Sequence, residues 1–413
     1  MDHPHQASNR RPDRRGLLVG GATIFGGMWL LGRSGLARAT REAVEQAKDA
    51  PPKALLLLEL SGGNDGLSCI VPWADDLYHG ARARTGHKAD TVKKIDDYRG
   101  FHFALANMQA QWNEGKLAIV EGCGYDDPNH SHFTSQDIWH TARHTGRASG
   151  DGWIGRLMAE MHPQDKEVPH MVHVGQSLPY SLKSGSHAVV CLDQPPPYRW
   201  AAGGDDIARE GGMRRPEAGH PLEQIRSVVR NAQASSSAIR RAAAEYKPRV
   251  EYPKHDLGQD MQTAAALLQS RLGVTVMSVT HHGYDTHANQ VYRHDKLMQE
   301  LDGALGAFLA DVRGTPSGDN IAILVFSEFG RRVPDNASMG TDHGTAGPMF
   351  LLGSPVKGGL HGKHPSLADL VDGDLKHTTD FRRVYASVLD GWFGVPNERV
   401  LGARHEPISG VWA

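Results

Sequence analysis

Cysteine is scarce in this chain: Cys69, Cys123 and Cys191 are the only three among 413 residues. They can close at most one bridge and match no short-spaced zinc pattern, so neither a disulfide framework nor a thiolate metal site carries the fold. Charge of one sign is lacking as well. Lys+Arg number 45 against Asp+Glu 47, a formal net charge of -2, which excludes a protein that grips nucleic acid by counterion release. Beyond the first 32 residues no apolar run is long enough to span a membrane. No internal repeat of solenoid or propeller period is visible. Ser61-Gly62-Gly63-Asn64-Asp65-Gly66 is neither a phosphate-binding Walker loop nor a dinucleotide fingerprint, because the Lys-Ser/Thr and the third glycine are missing. The hydrophobic share of 39% and charged share of 22% are those of an ordinary globular chain.

Histidine, by contrast, is plentiful, at 24 residues. Neutral imidazole is both a common metal ligand and a common general base, which keeps a metalloenzyme in view. The N-terminus has its own pattern. Four arginines stand in the first 15 residues, ending in Arg14-Arg15, followed by an uncharged run from Gly16 to Gly32 and then Ala37-Arg38-Ala39. Paired arginines, a weakly apolar run and small residues before a cleavage point predict a twin-arginine export signal over 1–39, with an uncleaved amphipathic anchor as the alternative.

Ala54–Leu60, Leu117–Val120, Val274–Val279, Ile321–Phe326 and the shorter Phe350–Leu352 are apolar without clean alternation, as expected of strands buried on both faces. Helical periodicity lies beside them at Asp260–Leu272, Tyr292–Val312 and Asp380–Phe393. The expected fold is therefore α/β, a layered domain with a largely parallel sheet flanked by helices. Residues 195–253 break the pattern with proline and glycine clusters before turning helical. They are expected to form an irregular or cap insertion within a single domain over 52–413.

Ligands bind outside the carboxyl ends of strands in such sheets, so the residues after each strand are the ones to inspect. Ser61–Gly66 follows the first, and Gly122–Ser135 the second. His281-His282-Gly283-Tyr284-Asp285-Thr286-His287 follows the third, and Ser327-Glu328-Phe329-Gly330-Arg331-Arg332 the fourth. Gly340-Thr341-Asp342-His343-Gly344 precedes the fifth. This mixture of Asp, Glu and His suits zinc or manganese better than a thiolate-loving metal. Each segment also has a plainer reading. The first is a tight turn, Ser131 or Thr134 a helix N-cap, Asp285 and His287 an Asx turn beside a surface histidine, and Glu328 a salt-bridge partner of Arg331 or Arg332.

Six motifs now stand in order: Leu60–Gly66; Ser131-His132-Phe133 ahead of Gln136-Asp137-x-Trp139; Gly283-Tyr284-Asp285-Thr286-His287; Ser327-Glu328-Phe329-Gly330-Arg331; Asp342-His343; and Asp380-Phe381-Arg382-Arg383-Val384-Tyr385. With them the chain resembles the exported bacterial DUF1501 family, itself similar to a distant branch of the alkaline phosphatase and sulfatase superfamily. The resemblance implies an alkaline-phosphatase-like fold and a site in which Asp65, Asp285, His287, Glu328 and His343 are metal ligands. It implies Ser131 as nucleophile, with Thr134 second. Arg331 would neutralise the nonbridging oxygens. Phe329 stands where the superfamily has a histidine, and Asp-x-His is shorter than the usual Asp-x-x-x-His, which leaves open one metal or two. The implied cofactor is a divalent metal, zinc first, with manganese, magnesium or calcium as alternatives. The implied function is an exported metal-dependent hydrolase of a phosphate or sulfate ester, acting on an anionic small molecule or glycan, and no nucleic acid. The alternative is an exported binding or scaffold protein that keeps the fold without catalysis.

Overall fold

In the computed structural model the described residues are 51–144, 150–165, 168–192, 238–270 and 272–413. The expected signal over 1–39 and most of the insertion expected over 195–253 lie outside them.

The central strands are β1 (Ala54–Ser61), β2 (Leu117–Gly124), β3 (Met171–Val174), β4 (Val189–Leu192), β5 (Val276–His282), β6 (Ile321–Phe326), β7 (Gly347–Leu352), β8 (Gly359–His361) and β9 (Thr379–Asp380). The main helices are α1 (Ala106–Asn113), α2 (His132–Thr141), α3 (Trp153–Met161), α4 (Asp256–Gln269), α5 (Gln290–Val312) and α6 (Phe381–Ala386). Among the described residues these strands form a nine-stranded sheet in the order β8-β2-β7-β6-β1-β5-β3-β4, with β9 also paired to β2. All of its pairings are parallel except those of β7, which runs antiparallel to β2 and β6.

The unbroken leucine run of β1 follows from its central place. Leu56, Leu58 and Leu60 face one core with Met108, Met261, Leu301 and Phe308, contributed by α1, α4 and α5. Leu55 and Leu57 face the other, with Trp139, Trp153 and Tyr385 from α2, α3 and α6. A strand covered by helices on both sides has no polar face to alternate with. The α/β class read from the sequence is the one observed.

Two expectations shift in detail. The C-terminal helix is α-helical only to Ala386 and continues as a π-helix over Ser387–Phe393. Residues 238–245, from the end of the insertion, are helical. The chain that follows is tied to α5 by the Tyr246 and Tyr252 hydroxyls, which donate to the buried Asp311 carboxylate at 2.8 and 2.9 Å.

Candidate metal centre

The loops after β1, β2, β5 and β6 leave from the carboxyl ends of parallel strands. The loop before β7 arrives at that same end because β7 runs the other way. This brings together His132, the first residue of α2, Asp285 and His287 beyond β5, and His343 ahead of β7.

Their donor atoms converge. Nε2 of His343 lies 2.9 Å from Nε2 of His287 and 3.1 Å from Oδ1 of Asp285. Nε2 of His287 lies 3.1 Å from the same oxygen, and Nε2 of His132 lies 3.7 Å from it. The donors of His132, Asp285 and His343 all fall within 4.8 Å of one another.

The opposite ring nitrogens decide what these atoms carry. Nδ1 of His343 meets the His130 carbonyl at 2.7 Å, Nδ1 of His287 meets Asp342 Oδ1 at 3.1 Å, and Nδ1 of His132 meets Glu328 Oε1 at 2.9 Å. Both carboxyl groups are ionised. Burial would raise Glu328, but the His132 bond and the Gly62 and Gly63 amides hold it below the ordinary range. A hydrogen bond from Asn336, and then one from His287, keeps Asp342 low. A carbonyl or carboxylate only accepts, so each Nδ1 bears a hydrogen, which fixes each ring with its Nε2 turned into the cluster. Three imidazole Nε2 atoms thus gather at one carboxylate, and the Glu328 hydrogen bond raises the pKa of His132. Burial lowers the pKa of His343, against the hydrogen bond to Asp285 and the one to the His130 carbonyl. Burial would raise Asp285, but hydrogen bonds from Arg331 and His343 bring it down to about 2.

Imidazole nitrogens held by outer carbonyl and carboxylate acceptors are the usual setting of a divalent ion. Metal–nitrogen bonds of about 2.0–2.1 Å put tetrahedral neighbours about 3.3 Å apart. Four of the six donor separations, at 2.9 to 3.7 Å, bracket that spacing.

The floor of the centre is built by the Ser61–Asp65 turn. Gly62 has φ +122°, and a Cβ there would stand 2.4 Å from the Asp285 amide nitrogen; one on Gly63 would stand 2.2 Å from the Phe329 ring. The space so freed lets Phe329 pack with its ring centre 4.9 Å from that of His132 and 4.8 Å from that of His343. The residue standing in for an expected histidine is thus an apolar wall.

The family model described as "Protein of unknown function (DUF1501)" matches residues 126–402. The chain belongs to the DUF1501 family. The Leu60–Gly66 motif of this DUF1501 protein falls ahead of the matched range, and the other five fall within it. A comparison with the sequences of curated proteins returned no match. Among solved structures, the chain is similar to the lipoteichoic acid synthase LtaP from Listeria monocytogenes, at 8% identity, covering 77% of this chain and 71% of that one with a TM-score of 0.36. It is similar to the PsFucS1 sulfatase from Pseudoalteromonas sp., at 13% identity, 90% and 72% coverage and a TM-score of 0.37. It is also similar to the alkaline phosphatase from the Antarctic bacterium TAB5, at 13% identity, 74% and 92% coverage and a TM-score of 0.34.

Of the residues the sequence singled out in this DUF1501 protein, Asp285, His287 and His343 meet. Three others take different positions. Asp65 is fully buried and bonded to Arg82, Ser68 and Gln290, because a buried carboxylate settles on the nearest cation. Glu328 spends Oε1 on His132 and the Gly62 amide and Oε2 on the Ser327 hydroxyl, so both of its oxygens are engaged in holding the His132 ring and the neighbouring loops. Arg331 is buried. It donates to the carbonyls of Gly62, Gly63, Thr341 and Tyr284 and, at 2.8 Å, to Asp285 Oδ1. It cross-links the loops and braces Asp285.

Ser131 is the exposed N-cap of α2, yet its side chain makes no capping bond; its own amide donates to Asn129 Oδ1 at 2.8 Å. Thr134, one turn on, is half-buried. His132 was not singled out. It stood in the Ser131-His132-Phe133 motif, and its signal was position: a histidine opening a helix just past the carboxyl end of a strand.

Proposed function

We propose that this protein is an exported metal-dependent hydrolase of a phosphate or sulfate ester, in which His132, Asp285, His287 and His343 hold a divalent cation, zinc first. The observation that carries this reading is the convergence of three imidazole Nε2 atoms on one carboxylate, each ring fixed by an outer acceptor. The side chains of His287 and Asp285 are 42% and 50% exposed, open enough for an anionic ester to approach.

A cation there supplies positive charge for an ester's nonbridging oxygens and lowers the pKa of an adjacent hydroxyl. Ser131 is the nucleophile in this reading, with Thr134 second. Ser131 lies between His130, whose carbonyl holds His343, and His132. Its Oγ bonds to phosphorus or sulfur as the bond to the leaving oxygen breaks, and the hydroxyl proton ends on the departing alcohol. Water then releases phosphate or sulfate and restores the serine. Arg331 contributes by keeping Asp285 ionised and in place.

Export rests on Arg14-Arg15 and Ala37-Arg38-Ala39, with loss of 1–39 leaving one domain over 52–413. Among the described residues no helix is long and apolar enough to cross a membrane.

One observation favours the binding-protein reading. With Asp65 held by Arg82 and Glu328 by His132, no second ligand set stands beside the first among the described residues. The test is metal analysis of the exported protein together with a panel of phosphate and sulfate esters. We expect bound metal that is lost in His287→Ala, and turnover that falls at least 100-fold in Ser131→Ala with metal content intact. Near-parental activity in both Ser131→Ala and Thr134→Ala rules out the covalent route. No turnover by metal-replete protein leaves the binding reading.

A further inference from the structure

A second group of donors lies at the opposite end of the sheet. His162 closes α3, and His170 stands just before β3, at the amino ends of the parallel strands. Their imidazoles stack with centroids 3.7 Å apart and planes 7° apart. Nδ1 of His170 lies 3.0 Å from the Gly273 carbonyl, so it bears the hydrogen and leaves a lone pair on Nε2. That Nε2, and the Nε2 of His162, are buried without a hydrogen-bond partner, and His170 as a whole is only 6% exposed. Asp165 is exposed and is turned toward the pair by its amide, which donates to the His162 carbonyl at 3.1 Å. His187 braces the same carbonyl through Nε2 at 2.9 Å. One donor atom from each of His162, Asp165 and His170 lies within 4.8 Å of the others.

Two buried ring nitrogens without partners are costly in a folded protein, and each calls for something to face it. A proton is disfavoured. Burial first, then the neighbouring histidines, brings His162 down to about 4, and burial lowers His170 too. The rings are neutral, which is the ligating form.

We propose that His162, Asp165 and His170 form a second site for a divalent cation of the zinc class, a structural clip that fastens the end of α3 to the start of β3. Two imidazole nitrogens and one carboxylate oxygen are a borderline-soft donor set with room left for water. Asp165, being exposed, supplies the small inward movement that closes the set. Nothing in this proposal depends on the centre at the other end of the sheet.

The experiment counts zinc. The exported protein is stripped with a chelator, dialysed against micromolar free zinc and analysed for equivalents bound and for melting temperature, beside Asp165→Asn and His162→Gln. We expect each variant to hold one equivalent fewer than its parent, and the zinc-dependent rise in melting temperature to shrink. Asp165→Asn should melt like the parent when both are zinc-free, since its side chain is exposed. If the first centre binds nothing, the parent holds one equivalent and the variants none, and the clip still stands. Equal zinc in the parent and both variants overturns it.

Discussion

Glu328 is not among the residues proposed to hold the cation, yet it fixes the ring of one that is, His132. Removing it leaves the His132 Nδ1–H and the Gly62 amide without their shared acceptor and lets the ring turn. Loss of such an outer partner typically costs 10–100-fold in metal affinity. We expect Glu328→Ala to show about that loss in a chelator competition, and Glu328→Gln a smaller one because its amide oxygen still accepts. Asp65 gives a different test. Its pairing with Arg82 is buried at both ends, with 2.5 Å between Nη1 and Oδ2, and Asp65 Oδ2 also accepts from Ser68. Burial alone would raise the carboxyl, but the Arg82 charge holds it below the ordinary aspartate range. Asp65→Asn strands a buried guanidinium and should cost about 3–5 kcal/mol at neutral pH in urea unfolding. A depressed folded-state pKa stabilises above the unfolded value near 4, and that gain is lost as pH falls toward the folded value. The gap between parent and Asp65→Asn should therefore be constant from neutral pH to about 5 and narrow in stronger acid.

Among the elements, the Ser61–Asp65 turn does most to position the centre without contributing a ligand. Gly62→Ala would have to accept φ +122° and push its Cβ into the Asp285 backbone. We expect a loss well beyond the about 1–3 kcal/mol of backbone strain, together with weakened metal binding, because Asp285 must shift. Gly115→Ala, at φ +70° with open space around its Cβ, is the control that carries strain alone. The strands were legible where burial on both faces wrote long apolar runs, as in β1 and β6. β3 and β4 were not, because four residues each are too few to carry a pattern and β4 is half-exposed. In the site, Asp285, His287 and His343 could be read from the residues flanking strands. The engagement of Asp65 by Arg82 could not, since the partner lies in a turn whose approach depends on tertiary packing. The loop contacts of Arg331 were hidden for a related reason: a sequence shows a positive charge and not whether its donors are already spent on carbonyls.

At the scale of the whole molecule, the place of β1 governs when anything can form. Its two neighbours are β5 and β6, far along the chain, as in the pairings Leu56↔Met277 and Leu56↔Ile323. Until those segments have been synthesised, a strand with five leucines among its eight residues has no native partner on either side, which is the condition in which chains aggregate. The nascent polypeptide therefore needs protection through most of its synthesis, and such distant pairing makes for slow folding. His343 comes later still, so the four ligands of the centre cannot be gathered until nearly all of the chain is present. On the proposed function, a cation is then the last component to enter, after the sheet has closed, and the proposed export of finished cargo carries it already loaded.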